Sequence, residues 1–143
     1  GGGRPGVPAA RGLGGLKVCV LVDEGSVRRG LANVLGAWGW GSVGAAGMDE
    51  ALARAAEVPP DLVLADGRLR DGETGLAAIR RLRERQPGLP ALLISGDTDT
   101  QLLREAERHG LRVLAKPVTL SRLREAIVRV LQEREAAITE EQG

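Results

Sequence analysis

From Lys17 onward the chain alternates short, unbroken apolar runs with longer stretches in which apolar residues recur at helical spacing. The runs are VCVLV at 18–22, a weaker, glycine-broken WGSVGAA at 40–46, DLVLA at 61–65, PALLIS at 90–95 and LRVLA at 111–115. None shows the apolar–polar alternation of a half-exposed strand. They predict strands covered on both faces, with the weak second run at an edge. Helices are predicted between them at about 26–38, 48–57, 74–86, 98–109 and 119–135. Val27, Leu31, Val34 and Leu35 share one helical face, as do Leu76, Ile79 and Leu82, and again Leu120, Leu123, Ile127, Val130 and Leu131. Thr119 is placed to cap the last helix and Gly110 to end the one before it. Strands and helices in alternation predict one α/β domain, a doubly wound parallel five-stranded sheet with helices on both faces.

The flanks fall outside this pattern. Residues 1–16, GGGRPGVPAARGLGGL, have the composition of a flexible linker, and 133–143 read as a polar tail, which leaves 17–132 as the domain. Lys+Arg 20 against Asp+Glu 19 gives a formal charge of +1, so no whole-molecule attraction to nucleic acid or an anionic membrane is expected. Phe and Tyr are absent and the only aromatics are Trp38 and Trp40, expected to pack at a helix end; base-stacking platforms are missing. Neither nucleic acid nor membrane is therefore expected as a partner. Arginines 80, 81, 83 and 85 share their helix with Glu84 and an apolar face, and read as a solvated surface. No apolar stretch has the length of a membrane span, and no signal-peptide core is present, so a cytoplasmic protein is expected. Cys19 lies inside the first run and reads as a small core residue.

In sheets of this kind ligands bind beyond the carboxyl ends of the strands. There stand Asp23 with Glu24, Asp66, Ser95, and Lys116 followed by Pro117; only Lys17 is a second lysine in the chain. Each has an ordinary reading: Asp23 and Glu24 as helix caps, Asp66 and Ser95 as turn residues, Lys116 as a solvated strand end. Together they suit phosphoryl transfer. A carboxylate repels a phosphoryl group unless a divalent cation held between carboxylates removes that repulsion. Mg²⁺ takes one or two carboxylates, a carbonyl and waters, while a lysine and a hydroxyl suit the remaining phosphoryl oxygens.

With VLVDE after the first strand, PDLVLADGRLRDGETG around Asp66, LLISGDT containing Ser95 and LAKPV containing Lys116, the chain resembles the receiver domains of two-component response regulators. The wording ADGRLRDGETGLAAIRRLR and ISGDT is similar to the C-terminal receivers of hybrid sensor histidine kinases. The resemblance implies a flavodoxin-like (βα)5 fold with strand order 2-1-3-4-5, a member of this family being the standard illustration of that order. It implies Asp66 as phosphoacceptor, Ser95 as switch hydroxyl and Lys116 as the phosphate-pairing cation. Asp23, Asp66 and the main-chain carbonyl of Arg68 become Mg²⁺ ligands, with Glu24 as a further candidate. A histidine kinase or a histidine phosphotransfer protein would be the donor. A downstream protein would read the face made by the fourth helix, fifth strand and fifth helix, and a homodimer is allowed.

Three departures accompany it. A gap-free match through Val27 and Arg28 puts Val22 where the family has the first of two adjacent acids, which implies reduced Mg²⁺ affinity. Glu24 falls one place late to substitute. Val113 stands where an aromatic switch residue is common. Gly67 replaces a larger side chain and implies a site more open to water. The competing reading is a pseudo-receiver, a protein-binding module that keeps the fold and not the chemistry. A phosphohydrolase is disfavoured by Arg68, where a general acid would be needed, and a dinucleotide binder by the lack of a glycine-rich loop.

Overall fold

The computed structural model describes residues 15–96 and 100–142. Its elements are β1 (Lys17–Leu21), α1 (Gly25–Ala37), β2 (Gly41–Ala45), α2 (Met48–Glu57), β3 (Leu62–Asp66), a 3₁₀ turn (Arg70–Gly72), α3 (Gly75–Arg85), β4 (Ala91–Ser95), α4 (Thr100–Arg108), β5 (Arg112–Ala115) and α5 (Leu120–Gln142). All strand pairings are parallel, in the order β2-β1-β3-β4-β5, with β2 at one edge. This is the flavodoxin-like (βα)5 architecture that the alternating runs and the resemblance imply.

Strand side chains alternate between two cores, because successive residues point to opposite faces. Val18, Val20 and Val22 of the first run join Leu62, Leu64, Leu92 and Ile94 beneath α1 and α5, where they meet Leu35, Leu123, Ile127 and Val130. Cys19 and Leu21 join Val63, Ala65 and Leu93 on the other face, against Ala51, Leu76, Ile79 and Leu82 of α2 and α3 and Leu102 and Ala106 of α4. Burying each large aliphatic side chain is worth about 1.5–3 kcal/mol. The unbroken apolar runs are thus the signature of a sheet with two dry faces.

The end signals act as expected. Arg122 donates its N–H to Thr119 Oγ1 at 3.2 Å, and Gly110 adopts a left-handed φ of 66° after α4. Trp38 and Trp40 meet edge to face, centroids 5.4 Å apart, at the end of α1, with the Arg124 guanidinium 5.9 Å above the Trp38 ring.

Two boundaries and one surface differ from expectation. Leu16, assigned to the linker, is 2% exposed and its carbonyl accepts from the Gly41 N–H at 2.8 Å, so it belongs to the core; residues 1–14 of that linker lie outside the described residues. The tail from 133 is helical as far as Gln142, because its Ala, Glu, Gln and Arg residues favour helix even where apolar periodicity stops. Glu133 in that extension accepts from Arg112 of β5 at 2.5 Å. Among the four clustered arginines, Arg83 is not a solvated residue: it is half-buried and its Nε donates to the Leu89 carbonyl at 2.9 Å. Burial, and then the nearby Arg134, lower its pKa.

Burial pushes the Cys19 thiol from its ordinary 9.0 up to about 11, with Arg54 opposing. Below pH 9 the thiol is protonated in both states; above it the unfolded chain ionises first, so this group weakens the fold as pH rises toward 11. Thiol labelling at pH 8 should therefore be slow in native protein and fast in denaturant, and equal rates would place Cys19 at the surface.

Candidate functional site

Asp66 is the last residue of β3, Ser95 the last of β4, and Lys116 follows β5 directly. Strand register puts Asp66 beside Ile94 and Ser95 beside Ala115. The Lys116 N–H donates to the Ser95 carbonyl at 2.9 Å, which holds the start of the following turn against β4. The Lys116 Nζ then lies 3.2 Å from each Asp66 carboxylate oxygen. The Lys116–Pro117 peptide bond is cis. Ser95, at 5% exposure, is the one buried polar residue among those described. Asp66, Arg68, Ser95, Gly96 and Lys116 line a cleft of about 260 Å³.

At the end of β1 the arrangement is different. Val22 is 3% exposed with its side chain in the core under α1 and α5, and its N–H still donates to the Ala45 carbonyl at 3.1 Å. Val22, which the resemblance sets against the first of two acids, is a core residue. Asp23 is half-buried and is not among the residues that line the cleft. Its carbonyl accepts from Arg70 Nη2 at 2.6 Å, and the Val22 carbonyl accepts from Arg28 Nη1 at 2.6 Å. Glu24 is exposed at the start of α1, where its carboxylate accepts from the Ser26 hydroxyl at 3.2 Å. Among the described residues no three His, Cys, Asp or Glu side chains gather as a metal cluster. The donors expected from the sequence for a divalent cation are the Asp23 and Asp66 carboxylates and the Arg68 carbonyl; one or two carboxylates, a carbonyl and waters are a donor chemistry that Mg²⁺ accepts.

Gly67 does not open the site as expected. A Cβ there would stand 3.2 Å from Leu102 Cδ2 and 3.5 Å from the Ile94 carbonyl, so α4 fills the space. Val113, in the place of the aromatic switch residue, packs against the core shared with Leu102. Two residues with a hand in the site were not singled out in the sequence. Arg70 had no spacing signal. Gly75 did, as the glycine of DGETG: its N–H donates to the Gly67 carbonyl at 3.1 Å, and a Cβ would run into the Asp66 carbonyl and reach within 2.9 Å of Leu93. Thr74 Oγ1 accepts from the Ala77 N–H at 3.1 Å and starts α3 at that close approach.

The model of the response regulator receiver domain matches residues 18–128. The chain belongs to this family of two-component signalling domains. The response regulator protein PilR of Pseudomonas aeruginosa is 34% identical over 119 residues, 81% of this chain and 26% of PilR. The DNA-binding transcriptional activator DevR/DosR of Mycobacterium tuberculosis is 38% identical over 93 residues, 64% of this chain and 42% of DevR/DosR. The crystal structure of the NtrX receiver domain from Brucella abortus matches with TM-score 0.74 at 30% identity, covering 80% of this chain and 98% of that one. The chain thus spans 26% of PilR and 42% of DevR/DosR.

These relatives correct the expectation that nucleic acid has no part. DevR/DosR is named as DNA-binding, and most of its length lies outside the match. Charge and aromatic content describe the surface of the receiver, and they do not bear on what a receiver controls.

Gly75→Ala should cost about 1–3 kcal/mol in urea unfolding through overpacking against β3. Val22→Asp should cost at least a comparable amount, since it removes a buried valine and brings a carboxylate into an apolar cluster. Wild-type stability in Val22→Asp would contradict the burial described.

Proposed function

We propose that this domain accepts a phosphoryl group on Asp66 from a phosphohistidine and passes the change to the α4-β5-α5 face. The observation that carries the reading is the Lys116 ammonium at equal distance, 3.2 Å, from both Asp66 oxygens. A fixed cation there orients the carboxylate and is in place to pair with an incoming phosphoryl oxygen. Asp66 attacks phosphorus, the N–P bond of the donor breaks, and the imidazole leaves with the electron pair and takes a proton from water. Lys116 moves its pairing to one phosphoryl oxygen and the Ser95 hydroxyl donates to another. The Asp23 and Asp66 carboxylates with the Arg68 carbonyl would hold Mg²⁺, which would supply the positive charge that lets two anions approach.

The phosphorylated state biases α4 and β5, because Ser95 and Lys116 end β4 and begin the β5–α5 turn. With Val113 in place of an aromatic residue, packing around Leu102 and Val113 carries that bias. The site of action is the cytoplasm; among the described residues no helix is long and apolar enough to cross a membrane. Output extends to transcription, as the name of DevR/DosR suggests for that relative. The second reading is a pseudo-receiver, favoured by the buried Val22.

Incubation with acetyl phosphate and Mg²⁺ should add the mass of one phosphoryl group to the intact chain, and Asp66→Asn should add none. No gain at saturating Mg²⁺ would reject the phosphoacceptor role and leave the pseudo-receiver.

A further inference from the structure

Two arginines from different elements hold the end of β1. Arg28 Nη1 donates to the Val22 carbonyl and Arg70 Nη2 to the Asp23 carbonyl, each at 2.6 Å. Hydrogen bonds from an ionised donor are about twice as strong as neutral ones. The first carbonyl belongs to the Val22–Asp23 peptide group and the second to the Asp23–Glu24 group. Peptide groups are planar, so holding the planes on either side of Asp23 fixes its two free backbone angles and with them its Cα–Cβ direction. The Asp23 side chain is half-buried and enters no hydrogen bond or ion pair among the described residues, so no side-chain partner sets where it points.

The route taken by Arg28 accounts for a glycine that breaks the second apolar run. A Cβ at Gly44 would stand 3.0 Å from Arg28 Cδ, 3.2 Å from its Cγ and 3.3 Å from its Nε. The half-buried arginine stem therefore lies over β2 in the space that a side chain at this position would fill. Gly44 is paired with Val20 of β1, close to the Val22 carbonyl that Arg28 reaches. Glycine weakens a strand, and within one it often marks a close approach of this kind. Arg70 comes from the loop after Asp66, which is moored to α2 where Glu73 Oε1 accepts from the Met48 N–H at 2.9 Å. The end of β1 is thus tied both to α1 and to the loop after β3.

We propose that Arg28 and Arg70 are positioning residues for Asp23, acting through the two peptide groups that flank it, and that Gly44 is what gives Arg28 its path. This rests on the reading of Asp23 as a Mg²⁺ ligand of the phosphoacceptor site. Val22 is buried and the Glu24 carboxylate accepts from the Ser26 hydroxyl, so Asp23 is the carboxylate on this side whose placement matters. Both arginines also carry charge that repels a divalent cation. Charge alone and positioning therefore predict opposite signs: removing an arginine tightens Mg²⁺ binding by the first and weakens it by the second.

The test is a Mg²⁺ titration of the whole chain followed by amide NMR, with nitrogen-15 relaxation at Asp23 and Glu24 recorded before metal is added. The variants are Arg28→Gln, Arg28→Lys, Gly44→Ala and Arg70→Gln. Arg29→Gln is the charge control, since Arg29 is exposed on α1 and enters no hydrogen bond or ion pair among the described residues. Arg28→Gln and Gly44→Ala should each weaken Mg²⁺ binding about tenfold, the low end of what orienting partners contribute, and loosen Asp23 in the metal-free protein. Arg70→Gln, at an exposed residue, should weaken it about twofold. Arg28→Lys keeps the charge and loses the planar fork, so it should behave as Arg28→Gln does; a charge effect would leave it like wild type. Arg29→Gln should bind no more weakly than wild type. Tighter Mg²⁺ binding in Arg28→Gln, or wild-type affinity in Gly44→Ala, overturns the proposal. If wild type itself binds no Mg²⁺, the metal reading falls and relaxation alone decides the clamp: looser Asp23 in Arg28→Gln and Gly44→Ala supports it, and unchanged order overturns it.

Discussion

Burial of β3 on both faces fixes the geometry of everything above it. Leu62, Val63, Leu64 and Ala65 are fully buried and pair on one side with β1 and on the other with β4. A one-residue slip would exchange the two cores, so the register is held by every apolar residue in it. Only at Asp66 does the strand meet solvent. The same register brings Lys116 to Asp66 across 50 positions of sequence. The site is a consequence of packing: the strands end together because their apolar runs end together.

Within that frame the site divides into two halves of different character. The side toward β4 and β5 has the residues the family pattern leads one to expect, with Ser95 buried and Lys116 paired. The side toward β1 presents hydrocarbon and guanidinium. Val22 finishes the core under α1 and α5, and Arg28 and Arg70 hold the two carbonyls that follow β1.

Most of the fold was legible because apolar runs and helical spacing report burial directly. Strand ends were legible for the same reason, and with them Asp23, Asp66, Ser95 and Lys116. What escaped depends on three-dimensional approach. Leu16 sits at the edge of a glycine-rich stretch, so its neighbours masked its burial. The helical extension past residue 132, EREAAITEEQ, holds too few large apolar residues for periodicity to find it. Gly67 suggested a gap, and the side chain that fills it, Leu102, comes from a helix with no sequence link to that position. Arg70 is one arginine among many, and its contact with the Asp23 carbonyl spans 47 positions of sequence.

The account turns on Lys116 reporting the state of Asp66, and the chain is suited to a direct reading because it has only two lysines. Nitrogen-15 NMR of the lysine side chains, recorded before and after acetyl phosphate with Mg²⁺, resolves Lys116 from Lys17. The Lys116 signal should move and the Lys17 signal should stay, with no change for either in Asp66→Asn. A Lys116 signal that does not respond while Asp66 gains a phosphoryl group would contradict the pairing at the centre of this account.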